Sequence, residues 1–158
     1  MSKGVQPRGE TAQPALRSVR MRRRLGATPR SVYRAWSDPE ELARWFPEQV
    51  EGSLAVGTRT TLVWPQERVW WQVQEATPDR VFSFRWPWLD DERLVTTVRV
   101  TITPIGFGSR IELEDGPFPI DEPEGLGAWA EAIEGWAEAL AQLRAHLDFS
   151  VDLRPRGL

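Results

Sequence analysis

Glu122–Asp148 reads EPEGLGAWAEAIEGWAEALAQLRAHLD, and its periodicity decides the fold. Apolar residues fall at Leu126, Trp129, Ala130, Ile133, Trp136, Ala137, Leu140, Leu143 and Leu147. Steps of three and four place them on one stripe of an α-helix. Glu131, Glu134, Glu138, Gln142 and Arg144 take the other side. Ala, Leu, Glu and Gln are strong helix formers, and acids in the first turn with Arg144 near the last suit the helix dipole. At ~1.5 Å per residue the segment makes a rod of about 39 Å, long enough to cross a small domain. Gly135 is out of character. A mid-helix glycine costs ~1 kcal/mol relative to alanine, so a curved sheet is expected to approach the helix closely there.

The rest of the chain supplies that sheet. Leu16–Leu25 alternates Val19, Met21 and Leu25 with Arg20, Arg22 and Arg24, the pattern of a strand with one wet face. Arg23 shares the apolar parity. The arginines read as a solvated strand face that blocks edge pairing, rather than as a nucleic-acid patch. Thr28-Pro29 and Asp38-Pro39 each open a short helix, the first carrying Val32, Tyr33 and Trp36, the second running through Leu42, Trp45 and Phe46 to Pro47. Six further strands are expected at about 48–54, 58–64, 68–76, 80–87, 93–103 and 108–115, separated by Gly and Pro turns. Spacing this short requires antiparallel hairpins. Alternation puts Leu62, Trp64, Val69, Trp71, Val73, Phe82, Phe84, Trp86, Val98, Val100, Ile102, Ile111 and Leu113 on the inner face. One apolar face needs one cover, and only the C-terminal helix is long enough to provide it. Residues 1–15 read as a disordered tail, 16–148 as one domain, and 149–158 as a C-terminal tail.

Composition narrows the chemistry. The chain has 158 residues, a net charge of −3, no cysteine and one histidine, His146, which reads as a surface residue. Disulfides, thiolate metal sites and cysteine nucleophiles are excluded, and zinc sites and Ser-His-Asp triads nearly so. No metal or cofactor is expected. The charge gives no general pull towards nucleic acid, and no apolar run approaches a membrane span, so a cytoplasmic location is expected. Nine Trp stand against one Tyr, which suits a core or an apolar pocket more than a surface.

Several stretches together resemble one family. They are ATPRSVYRAWSDPEELARWF, VGTRTTLVW, EATPDRVFSFRW, VRVTITPIGFGSRIELE and EGWAEALAQLRAHLD. From Leu16 to Asp148 the chain is similar to the prokaryotic proteins related to the activator of heat-shock protein 90 ATPase, within the START-like, birch-allergen-like (SRPBCC) superfamily. The resemblance implies an α+β helix-grip fold: a curved antiparallel sheet around a long C-terminal helix, with two short helices after the first strand. It also implies a cavity between sheet and helix that in relatives takes lipids, sterols or polyketides and in some supports cyclisation, while the eukaryotic namesake activates a chaperone.

Candidate site residues follow from parity within that fold. Trp64, Trp71, Phe82, Phe84, Trp86, Trp129 and Trp136 either line a cavity or fill it, with Val98, Val100, Ile111 and Ile133 around them. Arg23 is either a cavity cation or half of a structural ion pair. Glu75, Glu112 and Asp115 read as structural or solvated acids, and no catalytic residue is assigned. Trp88 and Leu89 have no place in the sheet face, and either cap the cavity mouth or meet a partner. The expected function is non-enzymatic binding of an apolar small molecule. The alternatives are a protein-interaction or chaperone-regulatory module with a filled core, and a cyclase-like enzyme acting on an aromatic or polyketide substrate. A protein partner or a second copy of the chain stays open.

Overall fold

Seven strands pair in the order β1-β7-β6-β5-β4-β3-β2, every neighbouring pair antiparallel. The computed structural model describes residues 15–155, so all but Ala15 of the expected N-terminal tail lies outside the described residues. In chain order the elements are β1 (Leu16–Leu25), α1 (Pro29–Ser37), α2 (Pro39–Leu42), β2 (Gln49–Glu51), β3 (Arg59–Trp64), β4 (Glu67–Thr77), β5 (Val81–Trp88), β6 (Leu94–Ile105), β7 (Gly108–Pro119) and α3 (Pro123–Phe149). This is the helix-grip arrangement. Thr28 and Asp38 cap α1 and α2 as their sequence signals require, accepting from the backbone N–H of Ser31 and Glu40. Regular helix stops at Leu42, and Trp45 and Phe46 follow in turns rather than in α2. Register shifts at Arg17/Val19 and Val73/Glu75 bend the strands and help the sheet curve.

The cover is shared, which differs from the expectation of a single covering helix. α3 packs chiefly on β1 and β7, while α1 lies against β5 and β6. Trp71, Phe84, Val100 and Leu113, expected on the covered face, are all buried. The stripe of α3 also differs. Ala128, Ala132, Trp136, Ala139, Leu140 and Leu143 are buried, whereas Leu126 and Ile133 are exposed beside Ala130, Ala137 and Ala141. Alanine is apolar on both faces of this helix, so hydrophobicity alone does not mark which face turns inward.

Close approach occurs at Gly125, not at Gly135. A Cβ on Gly125 would run into the carbonyl oxygen of Pro119 at the end of β7. A Cβ on Gly135 would meet nothing within 4 Å. The far end of α3 is tied down by Asp148, whose carboxylate accepts from the N–H groups of Gly26 (2.9 Å) and Ala27 (3.1 Å). His146 is less exposed than a surface residue would be and lies 3.4 Å from Glu41 Oε1. Beyond the helix, Arg154 donates to the carbonyls of Ala43 (2.8 Å) and Pro47 (2.6 Å), pinning residues 151–155 beside α2. Among the described residues, no helix is long and apolar enough to cross a membrane.

Candidate ligand cleft

Because α3 lies chiefly over β1 and β7, the other half of the sheet is filled by its own side chains together with Trp36 of α1 and Trp45. Trp71 on β4 stacks on Phe84 of β5 with centroids 3.6 Å apart, and Trp36 of α1 lies parallel to Trp71 at 6.5 Å. Trp36, Trp45, Trp71, Phe82 and Phe84 are all essentially inaccessible, so the aromatic interior is a packed layer. Val98, Val100 and Ile111 are inaccessible beside it. These six of the expected cavity residues (Trp71, Phe82, Phe84, Val98, Val100 and Ile111) therefore form the floor rather than the lining.

The space lies one layer out. Phe46, Trp64, Trp86, Trp88 and Trp136 border a cleft of about 750 Å³ between α3, the start of β4, the end of β5 and the loop after it. Phe46, Trp64 and Gly135 also border a second hollow of about 900 Å³, closed at its far side by the Arg154 segment. The rings interlock edge to face: Phe46–Trp64 at 5.1 Å, Trp86–Trp88 at 5.3 Å and Trp88–Phe118 at 5.5 Å. Trp86 and Trp136 meet at 5.2 Å and form the inner wall. Gly135 sits on the rim of both hollows, where a missing side chain leaves the mouth wide. Of the expected site residues, Trp64, Trp86 and Trp136 border the cleft.

Three expected residues are elsewhere. Ile133 is on the exposed face of α3, and Trp129 packs towards β1, its indole N–H 3.4 Å from the Ser18 carbonyl. Arg23 neither reaches the cleft nor pairs with an internal acid. Its guanidinium donates to the carbonyl of Arg22 at 2.9 Å and lies against the Met21 sulfur. A half-buried arginine on an edge strand can satisfy itself on its own backbone, so inward parity did not imply an internal partner.

Behind the inner wall lies an acid that the sequence alone assigns to the structural or solvated groups. Asp115 on β7 is fully buried. Its Oδ1 accepts from Thr96 Oγ1 at 2.5 Å and its Oδ2 from Trp136 Nε1 at 2.9 Å. Thr96 in turn accepts from Trp88 Nε1 at 2.9 Å, so two cleft indoles are anchored to one carboxyl, one directly and one through a hydroxyl. Trp86 turns its N–H towards the same group without reaching an ordinary hydrogen bond. Burial pushes the Asp115 carboxyl up to about 6, and the donors from Thr96 and Trp136 pull it back only in part. The signal for it was parity, since Asp115 continues Ile111 and Leu113 on β7, and Thr96 continues Val98, Val100 and Ile102 on β6.

An antiparallel sheet gripping a C-terminal helix, with an aromatic cleft opening beside that helix, defines a START-like helix-grip protein. Residues 26–148 match the family model described as "Activator of Hsp90 ATPase homolog 1-like protein", and the chain belongs to that family. No curated protein matches it in sequence. Among solved structures it is similar to protein MLL2253 from Mesorhizobium loti, with 24% identity, a TM-score of 0.75, and 87% of this chain and 100% of that one covered. DynU16, a protein in the dynemicin biosynthetic locus, gives 21% identity and a TM-score of 0.75 over 87% of this chain and 49% of that one, so the match spans about half its length. The Aha1 dimer from Colwellia psychrerythraea gives 15% identity and a TM-score of 0.71 over 84% and 96%. At these identities the likeness is one of fold.

Proposed function

We propose that the protein binds an apolar, ring-bearing small molecule in the cleft beside α3 and performs no chemistry on it. The observation that carries this reading is the set of rings left only partly covered: Phe46, Trp64, Trp86 and Trp88 border open space while the layer beneath them is packed. A cleft of this size with aromatic walls is the usual form of a small-molecule site, and here its rim is charged. Binding is favoured over catalysis by the seclusion of Asp115, which an occupant of the cleft could not touch through Trp86 and Trp136. Among the described residues, no group of three or more His, Cys, Asp or Glu is disposed to hold a metal. The expected cytoplasmic location belongs to the same reading.

An uncharged naphthalene probe should quench or shift the Trp fluorescence saturably. Its Kd should be ~1–100 μM, about −5.5 to −8 kcal/mol, because an uncharged probe gains ring contact but makes no ionic contact with the charged rim.

Gly135→Leu separates the cleft from the core. Its side chain would enter the open mouth, so the probe should weaken roughly tenfold. The fold should gain up to ~1 kcal/mol from helix propensity, since a Cβ at this position meets nothing within 4 Å. Unchanged probe affinity in a folded Gly135→Leu protein would place binding elsewhere, and the absence of saturable binding in the parent would defeat the proposal.

A further inference from the structure

We infer that the ligand of this cleft carries a cation next to its apolar body. This deepens the small-molecule reading above and rests on it. The border of the cleft holds six acidic residues against two arginines, a stronger negative balance than the −3 of the entire chain. Both arginines are already engaged: Arg93 donates through two nitrogens to Glu124, at 2.9 and 2.6 Å, and Arg68 is paired with Glu51. Glu92 accepts from Trp70 at 2.8 Å. Glu67, Asp90, Asp91 and Glu131 remain; Asp90 and Asp91 also lie within the field of Arg93, whose guanidinium is bonded to Glu124, so acids outnumber cations on the rim. An anionic ligand would meet this rim unfavourably, and a neutral one would leave it unused.

The walls point the same way by a separate route. Indole faces carry negative potential and attract cations, Trp most strongly of the aromatic residues. Here the indole of Trp136 donates its N–H to the Asp115 carboxyl, and that of Trp88 donates to Thr96, which itself donates to Asp115. A donor N–H held by an anion leaves its ring richer in electrons. A buried carboxylate behind the wall also adds its own negative charge, and among the described residues no cation within hydrogen-bond reach cancels it. The chain uses the same contact on its outer face, where the Arg59 guanidinium sits 3.9 Å from the Trp70 ring centroid. Aromatic walls backed by a carboxylate and rimmed by an excess of acids fit an aryl-alkylammonium or a quaternary ammonium on an aromatic scaffold.

Three probes of one shape test this. They are (2-naphthylmethyl)trimethylammonium, its uncharged carbon isostere 2-neopentylnaphthalene, and 2-naphthylmethanesulfonate. The cation should bind roughly tenfold tighter than the isostere at low salt, and the sulfonate weakest. Asp91→Asn with Glu131→Gln, both on the exposed rim, should cut the preference for the cation about threefold while leaving the isostere unchanged. Isostere and cation binding alike would overturn the charge inference and leave the cleft reading intact. Failure of all three to bind would overturn the cleft reading itself. A preference for the sulfonate would reverse the assignment.

Discussion

Asp115→Asn is expected to stabilise the protein at pH 8 by up to about 3 kcal/mol, and to remove a pH dependence that the parent shows between about pH 6 and 4. The sign follows from the direction of the shift. The carboxyl titrates near 3.8 when exposed and at about 6 when folded, so the folded chain holds the proton more tightly. Above pH 6 the folded state carries an ionised group at a cost, and that cost disappears as pH falls through 6 towards 4. Among the described residues, no charged side chain offsets it. Val19 and Val98 lie opposite it in the sheet, and Thr96 and Trp136 bond to it. An asparagine can accept from Trp136 and donate to Thr96, keeping the local geometry. Exposed pairs such as Arg93–Glu124, where the guanidinium holds Glu124 below its usual range, weaken on acidification and act in the opposite direction. They are common to both proteins, so the difference between parent and variant isolates Asp115. Urea unfolding of both at pH 5 and pH 8 measures it. Parallel curves would mean that Asp115 titrates as an exposed acid does. A confirmed difference would identify a carboxylate retained against stability, which is expected of a group kept for the cleft it backs.

Trp71→Ala should cost ~3–5 kcal/mol, among the largest losses available to a single truncation in this chain. Trp71 is inaccessible, stacked on Phe84 at 3.6 Å and enclosed by Trp36, Phe46 and Trp86. Among the described residues its N–H has no hydrogen-bond partner, so its contribution is volume and ring contact. Trp64→Ala is the control, because Trp64 is only partly buried and borders the cleft. It should cost less than half as much as Trp71→Ala and should weaken the naphthalene probe, which Trp71→Ala cannot do by loss of contact. Equal destabilisation by the two would show that Trp64 belongs to the packed layer and that the cleft wall is misassigned.

The fold was legible because hairpin spacing and strand parity are local properties of the chain. Leu16–Leu25 and the long C-terminal helix are visible in the order of a few residues, and the structure places both within a residue or so of their expected limits. The split between floor and wall was not legible. Trp71 and Trp64 share a face, and what separates them is where α3 crosses the sheet, which no local pattern encodes. Gly135 is ambiguous because a glycine in a helix signals either close approach or open space, and α3 contains both kinds, the first at Gly125 and the second at Gly127 and Gly135. Asp115 was within reach of the parity argument, but an acid beside Glu112 and Glu114 reads as part of a wet face.

Among the described residues, β1 has one sheet partner, β7. On a ribosome the strand is made early and then waits for roughly ninety more residues, several seconds at ordinary synthesis rates. During that interval it is an unpaired edge, open to pairing with any neighbouring chain. Arg17, Arg20, Arg22 and Arg24, all exposed along it, make such pairing with another copy repulsive. Once β7 emerges with Glu112 and Glu114, the same arginines gain matching charges, Arg22 opposite Glu112 and Arg20 opposite Glu114. The basic strand thus carries its own chaperoning, which ends when its rightful neighbour arrives.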